Sequence, residues 1–303
     1  MLRSALLYLS GQPGLRRWTE NSSLADRVTK RFVAGQTLED ELATCQRLNR
    51  DNILASVDFL GENVHSIEEA RQSRDTYLRI QQEIHARAIR STVSIKLTQF
   101  GLDFSKEACL ANVEPLVAQA QAMGSRVEID MEASSYVDRT LDIVCELHER
   151  YGSVRAVIQA YLFRSAKDIQ MLNGRGIPIR LCKGAYKEEP DIAYAKKTDV
   201  DAAYVRLMEQ MLSGGVDAAI ASHDESIVRL AQRYTRERAI PPERFEFQML
   251  FGIRRDLQRE LVKAGYRLRL YVPYGDAWYP YFMRRLAERP ANVLFLARNL
   301  IRS

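Results

Sequence analysis

At 303 residues, 46% of them apolar and 27% charged, the chain has the make-up of a soluble globular protein with room for one large α/β barrel or two modest domains. No apolar run approaches the ~20 residues of a membrane-spanning helix, which excludes that class. The net charge of +5, from 44 basic and 39 acidic residues, is spread rather than blocked, and favours an anionic substrate, nucleotide or lipid surface without choosing among them.

Residues 1–50 read as a helical arm, with patterns at Arg3–Leu9, Leu24–Ala34 and Leu38–Asn49 separated by Gly and Pro. The apolar run Ala5–Leu9 is too short for a secretory signal and reads as a packing helix. From residue 51 an alternation begins. Strand patterns fall at Ile53–Asp58, Thr92–Thr98, Val127–Met131, Ala156–Leu162, Ile177–Lys183, Ala218–Ser222, Phe245–Leu250 and Leu268–Val272. Helical patterns follow each in turn: Ser66–Arg90, Lys106–Met123, Val137–Tyr151, Ala166–Leu172, Ile192–Leu212, Glu225–Arg238, Asp256–Ala264 and Trp278–Glu288. That count predicts an α/β protein with a TIM-like (β/α)8 barrel over residues 51–303. An open doubly wound sheet is the rival, but no strand is followed by G-x-G-x-x-G. Cys45, Cys109, Cys145 and Cys182 show no metal-ligand spacing and read as reduced intracellular thiols.

The last helix carries Tyr281, Arg284, Arg285 and Glu288 on one face; two guanidiniums against one carboxylate leave a charge to grip an anion. Barrel active sites lie at the C-terminal strand ends, where this chain offers Asp58, Lys96, Thr98, Asp130, Gln159, Arg180, Lys183, Ser222, His223, Gln248 and Tyr271. Together they suit an anionic small molecule and a phosphate-bearing cofactor. Lys96, inside an apolar strand, fits either a Schiff-base nucleophile or a carboxylate partner, and Asp130 is placed to pair with it. His223 has no second ligand at metal spacing, so no metal is expected.

Five segments in order carry a resemblance: SVDFLGENV, VSIKLTQFG, RLCKGAY, FEFQMLFGIR and LYVPYGDAWYPYFMRRLAERPAN. Over about Ile53–Asn292 the chain resembles the proline dehydrogenases, in a short monofunctional bacterial form with no aldehyde dehydrogenase domain after Ser303. The resemblance implies a distorted (β/α)8 barrel that binds FAD without a Rossmann fingerprint. It implies oxidation of L-proline to Δ1-pyrroline-5-carboxylate by hydride transfer from C5 to flavin N5, the first step of proline catabolism to glutamate.

By the same resemblance, Arg284, Arg285 and Lys96 hold the substrate carboxylate, and Tyr271, Tyr281, Ala185 and Leu250 wall the ring. Asp130 pairs with Lys96, Arg180 approaches flavin N5 and O4, and Glu62 pairs with Arg284 over the substrate. Gln159, Lys183, Gly184, Ser222, His223 and Gln248 contact other parts of FAD. Lys187 and Asp224 depart from the family, which often has an aromatic residue and an Asn there. A membrane quinone is the family's usual acceptor, which implies a cytoplasmic protein peripheral on the inner face of the membrane. A separate pyrroline-5-carboxylate dehydrogenase is an implied downstream partner.

No side chain stands out as a general base, so the proline amine is expected to lose its proton to solvent and the rate to rise with pH. Rival readings are a hydroxyproline dehydrogenase of the same family, against which the bulk of Tyr271 argues, and an aldolase using Lys96 or Lys183. A nucleic-acid-binding module is disfavoured, since the basic residues form no stripe with interleaved aromatics.

Overall fold

The computed structural model describes residues 31–61 and 64–278. Helix α1 (Leu38–Arg50) leads into strand β1 (Leu54–Phe59), and the alternation then runs α2 (Ile67–Ala86), β2 (Ser91–Lys96), α3 (Lys106–Ala122), β3 (Val127–Asp130) and α4 (Val137–Tyr151). It continues with β4 (Val154–Gln159), α5 (Ser165–Gly174), β5 (Ile179–Cys182), α6 (Lys197–Ser213), β6 (Ala218–Ala221), α7 (Glu225–Glu237), β7 (Phe245–Leu250), α8 (Arg255–Lys263) and β8 (Leu268–Tyr274). All eight strands pair in parallel, β8 against β1, and close the barrel. The expected (β/α)8 architecture is therefore present.

Local chemistry starts these helices. Thr37 and Asp40 form a capping box on α1, while Ser66 and Ser105 accept the N–H of Glu69 and Ala108 to begin α2 and α3. Helix α1 packs on β1 and β8, burying Leu42, Cys45 and Leu48. Residues 31–34, the described end of the pattern expected at Leu24–Ala34, are not helical; the first expected helix and most of the last lie outside the described residues. Helix α6 starts at Lys197 rather than Ile192, because residues 192–194 bond back to the β4–α5 loop through Phe163 N to Ile192 O and Tyr194 N to Tyr161 O. Leu162, expected to end β4, instead bridges Ala193.

Most strands alternate apolar and polar residues, unlike the continuous apolar runs usual in parallel sheets; β6, Ala-Ala-Ile-Ala, is the exception. One parity (Val57, Val93, Ile95, Ile129, Ile158, Leu181, Phe247, Leu270) joins the apolar layer beneath the helices. The other parity carries Ser94, Glu128, Arg155, Arg180, Glu246, Gln248 and Arg269, all buried and bonded to one another across the barrel. The interior of this barrel is a charge network. Tyr77 staples α2 to it, its hydroxyl donating to Ser94 O at 2.9 Å and accepting from Phe59 N at 3.0 Å.

Candidate active site

Buried charge is tolerable only when paired, and the pairing here rises in tiers from the barrel floor. At the floor, Arg155 and Arg269 donate to Glu246 at 2.6 and 2.8 Å, and Arg155 reaches Asp217 at 2.7 Å. Above them Glu128 accepts from Thr92 Oγ1 at 2.8 Å, Gln248 Nε2 at 3.2 Å and Arg180 Nε at 3.0 Å, with Arg180 Nη2 completing a two-pronged contact. Burial alone would raise the Glu128 carboxyl; Arg180, Arg155 and Arg269 outweigh it and hold Glu128 well below the ordinary carboxylate range.

Arg180 is 5% exposed, and its donors can be counted. Nε and one Nη2 hydrogen go to Glu128, the other Nη2 hydrogen to Ser94 Oγ at 2.7 Å, and one Nη1 hydrogen to Asp130 Oδ1 at 2.9 Å. Among the described residues one Nη1 hydrogen is left for a ligand. The guanidinium also sits over the Tyr271 ring, 5.5 Å from its centroid. The Tyr271 hydroxyl donates to Asp130 Oδ2 at 2.8 Å; burial, then the Asp130 charge, push this phenol well above its ordinary range and keep it a donor.

Lys96 lies between two acids. Its Nζ is 3.3 Å from Asp58 Oδ1 and 3.9 Å from Asp130 Oδ2, so the expected Asp130 partner is present but Asp58 is nearer. Asp58 is 1% exposed, and its Oδ2 has no hydrogen-bond partner among the described residues. Burial raises its pKa, with Lys96 opposing the shift.

The remaining expected contacts share this rim. Gln159 gives its amide to Glu132 O at 2.8 Å and accepts from Ala185 N at 3.4 Å. Gly184 has φ +113°, and a Cβ there would lie 2.1 Å from the Tyr161 ring, so the loop after β5 needs glycine. Ser222 Oγ accepts Asp224 N–H at 3.1 Å, and His223 Nε2 accepts Leu250 N–H at 2.8 Å, which places the ring proton on Nδ1. Gln248 spends its amide nitrogen inside the barrel, on Glu128 and on Glu246 at 2.7 Å. Ala185 is exposed and Leu250 half-buried. Glu62, Tyr281, Arg284 and Arg285 lie outside the described residues.

The strand-end reading missed Glu128 and Ser94, which lie one pleat below the ends; the polar alternation in VEID and STVSIK was the available signal. It also missed Glu132, whose carboxylate ties down Thr98 at 2.7 Å, and Glu188, which binds Ser134 N at 2.7 Å. No cluster that could hold a metal occurs among the described residues, nor any helix long and apolar enough to cross a membrane. A cleft of about 280 Å3 opens at the other end of the barrel, beside His85, Arg90 and Ser125, away from these groups.

Comparison with known proteins identifies the family. The family model described as proline dehydrogenase matches residues 41–298. Proline dehydrogenase 1 of Bacillus subtilis is 39% identical over 303 residues, covering all of both chains, and proline dehydrogenase of Deinococcus radiodurans is 36% identical over all of this chain and 98% of its own. The crystal structure of proline utilization A from Bdellovibrio bacteriovorus, inactivated by N-propargylglycine, superimposes with a TM-score of 0.82 at 27% identity over 87% of this chain; the match spans 33% of that longer protein. By sequence and by fold, this chain belongs to the proline dehydrogenase family.

Proposed function

We propose that this chain oxidises L-proline to Δ1-pyrroline-5-carboxylate with FAD at the barrel mouth, as the first step of proline breakdown, and passes the electrons to a quinone. The observation that carries the reading is Arg180, a guanidinium held by four hydrogen bonds to Glu128, Asp130 and Ser94 at the strand ends, with one donor left over among the described residues.

The residues present fit a flavin, whose ring edge offers mostly acceptors. The spare Nη1 hydrogen of Arg180, the second amide hydrogen of Gln159 and the Ser222 hydroxyl are uncommitted among the described residues. Lys183 and His223 would face the ribityl-phosphate part of FAD, with the Lys183 ammonium already shared with Asp201 and Asp224. FAD bound there supplies the acceptor for the hydride leaving proline C5. Arg180, paired with Glu128 and Asp130, would counter negative charge on the reduced flavin. Tyr271 and Leu250 wall the substrate ring, with Ala185 at the rim.

Lys96 and Arg180 alone are a poor grip on a carboxylate, because they already face Asp58, Asp130 and Glu128. The extra positive charge falls to Arg284 and Arg285, with Tyr281 against the ring and Glu62 closing on Arg284. With its Nζ held between Asp58 and Asp130, Lys96 is placed as an ion-pair partner rather than as a Schiff-base nucleophile, so an aldolase is the weaker reading.

The test is product formation. Incubation with L-proline and a quinone analogue should yield a pyrroline that o-aminobenzaldehyde traps. Arg284→Met and Arg285→Met should each raise KM at least tenfold with FAD retained, each lost charge-assisted bond costing roughly 1.5–3 kcal/mol. An unchanged KM in both variants removes the carboxylate assignment.

A further inference from the structure

A second charge cluster stands at the mouth, on the β5–β6 side, and the chemistry above leaves its acids without a task. Lys183, just past β5, lies 2.5 Å from Asp201 Oδ1 on α6 and 2.9 Å from Asp224 Oδ2 at the N-cap of α7. Lys197, on the first turn of α6, bonds the other oxygen of Asp201 and stands 3.7 Å from Asp224. Among the described residues two ammoniums thus meet two carboxylates, and these four side chains balance in charge. Burial would raise both carboxyls, but Lys183 and Lys197 draw Asp201 and Asp224 below their ordinary range, so both acids are ionised at neutral pH.

An anionic ligand therefore gains little from Lys183 as it stands. A phosphate that takes a hydrogen bond from this ammonium must share it with Asp224 and Asp201, and each carboxylate repels it over a few ångströms. Asp224 is the better placed to interfere. It sits two residues after Ser222 and next to His223, and its two oxygens are already spent on the α7 backbone, at Ser226 N 3.1 Å away, and on Lys183.

We propose that Asp224 sets the affinity of this protein for its phosphate-bearing cofactor, by competing with the cofactor phosphate for the Lys183 ammonium. The inference rests on the reading that Lys183 meets FAD. Its consequence is a cofactor held loosely and exchanged readily, so that the protein purifies with less than one FAD per chain.

The test is the dissociation constant of FAD, measured by quenching of flavin fluorescence on addition of apoprotein. Asp224→Asn keeps the shape and the α7 cap, since Asn caps a helix as well as Asp, and removes only the charge. Lys183 then retains Asp201 alone, the cluster gains one positive charge, and FAD should bind roughly three- to tenfold more tightly at low salt. The gain should shrink at high KCl, because the competition is Coulombic. Asp201→Asn serves as the second variant and should act in the same direction. An FAD affinity unchanged or weakened in both variants overturns the proposal, as does a gain that ignores salt. Failure of the unsubstituted protein to bind FAD would instead sink the proposed function, and this inference with it.

Discussion

Arg180 offers the sharpest energetic prediction. Arg180→Met strips Glu128 of its two-pronged partner and Asp130 of its 2.9 Å bond, while Glu128 keeps Thr92, Gln248 and Arg155 at 3.4 Å. Removing one partner of a buried ion pair costs roughly 3–5 kcal/mol; the surviving arginines put this case near the lower end, about 3 kcal/mol. Arg180→Lys keeps the charge but has one nitrogen for three acceptors, and should cost about 1–2 kcal/mol. Ser94→Ala removes the acceptor for Arg180 and the 2.8 Å partner of Ser56 Oγ, and should cost about 1–2 kcal/mol. Urea unfolding of the apoprotein gives all three from the shift in midpoint at constant slope. Adding Glu128→Gln to Arg180→Met should recover part of the loss, since no unpaired carboxylate then remains at that tier. An Arg180→Met variant within ~0.5 kcal/mol of the parent, or a Lys variant as unstable as the Met variant, would refute the claim that paired charge holds the barrel interior.

Tyr271→Phe removes the hydroxyl that orients Asp130 but keeps the ring under Arg180, so kcat should fall severalfold with the protein still folded; Tyr271→Ser should open the wall and admit trans-4-hydroxy-L-proline, measured as the ratio of kcat/KM for the two substrates. The Glu128 and Glu246 carboxyls are lowered by their arginines, so their contribution to stability is complete above the ordinary Glu range. Urea midpoints should therefore begin to drop as pH falls below ~4.3 and keep dropping well below it. Burial pushes the Cys109 and Cys182 thiols up to about 12, and raises Cys45 and Cys145 as well. At neutral pH the native protein should react slowly with a disulfide reagent, and all four thiols quickly once it is unfolded.

The barrel was legible because eight apolar runs at regular spacing, separated by amphipathic helices, admit few other closures. The rim was legible for a related reason: a polar residue at the end of an apolar strand has few structural uses. Below the rim the signal was present but demanded pleat parity rather than position. Glu128 shares its parity with Asp130, and Ser94 with Lys96, so both point where the active groups point. Partner choice was legible only in part: Asp130 does face Lys96, but Asp58 was not expected there. That Lys96 leans on Asp58 more closely than on Asp130 depends on how β1, β2 and β3 stagger around the barrel, and a linear sequence does not state that register. The ties of Glu132 and Glu188 are likewise contacts between loops distant in the chain. The left-handed turn at Gly184 shows only when the Tyr161 ring is seen against it.

The most direct test of the account is the visible spectrum of the purified protein, reconstituted with FAD, before and after anaerobic addition of L-proline. Flavin absorption should be present and should bleach with proline. A protein that binds no flavin, or a flavin that stays oxidised with proline present, would contradict it.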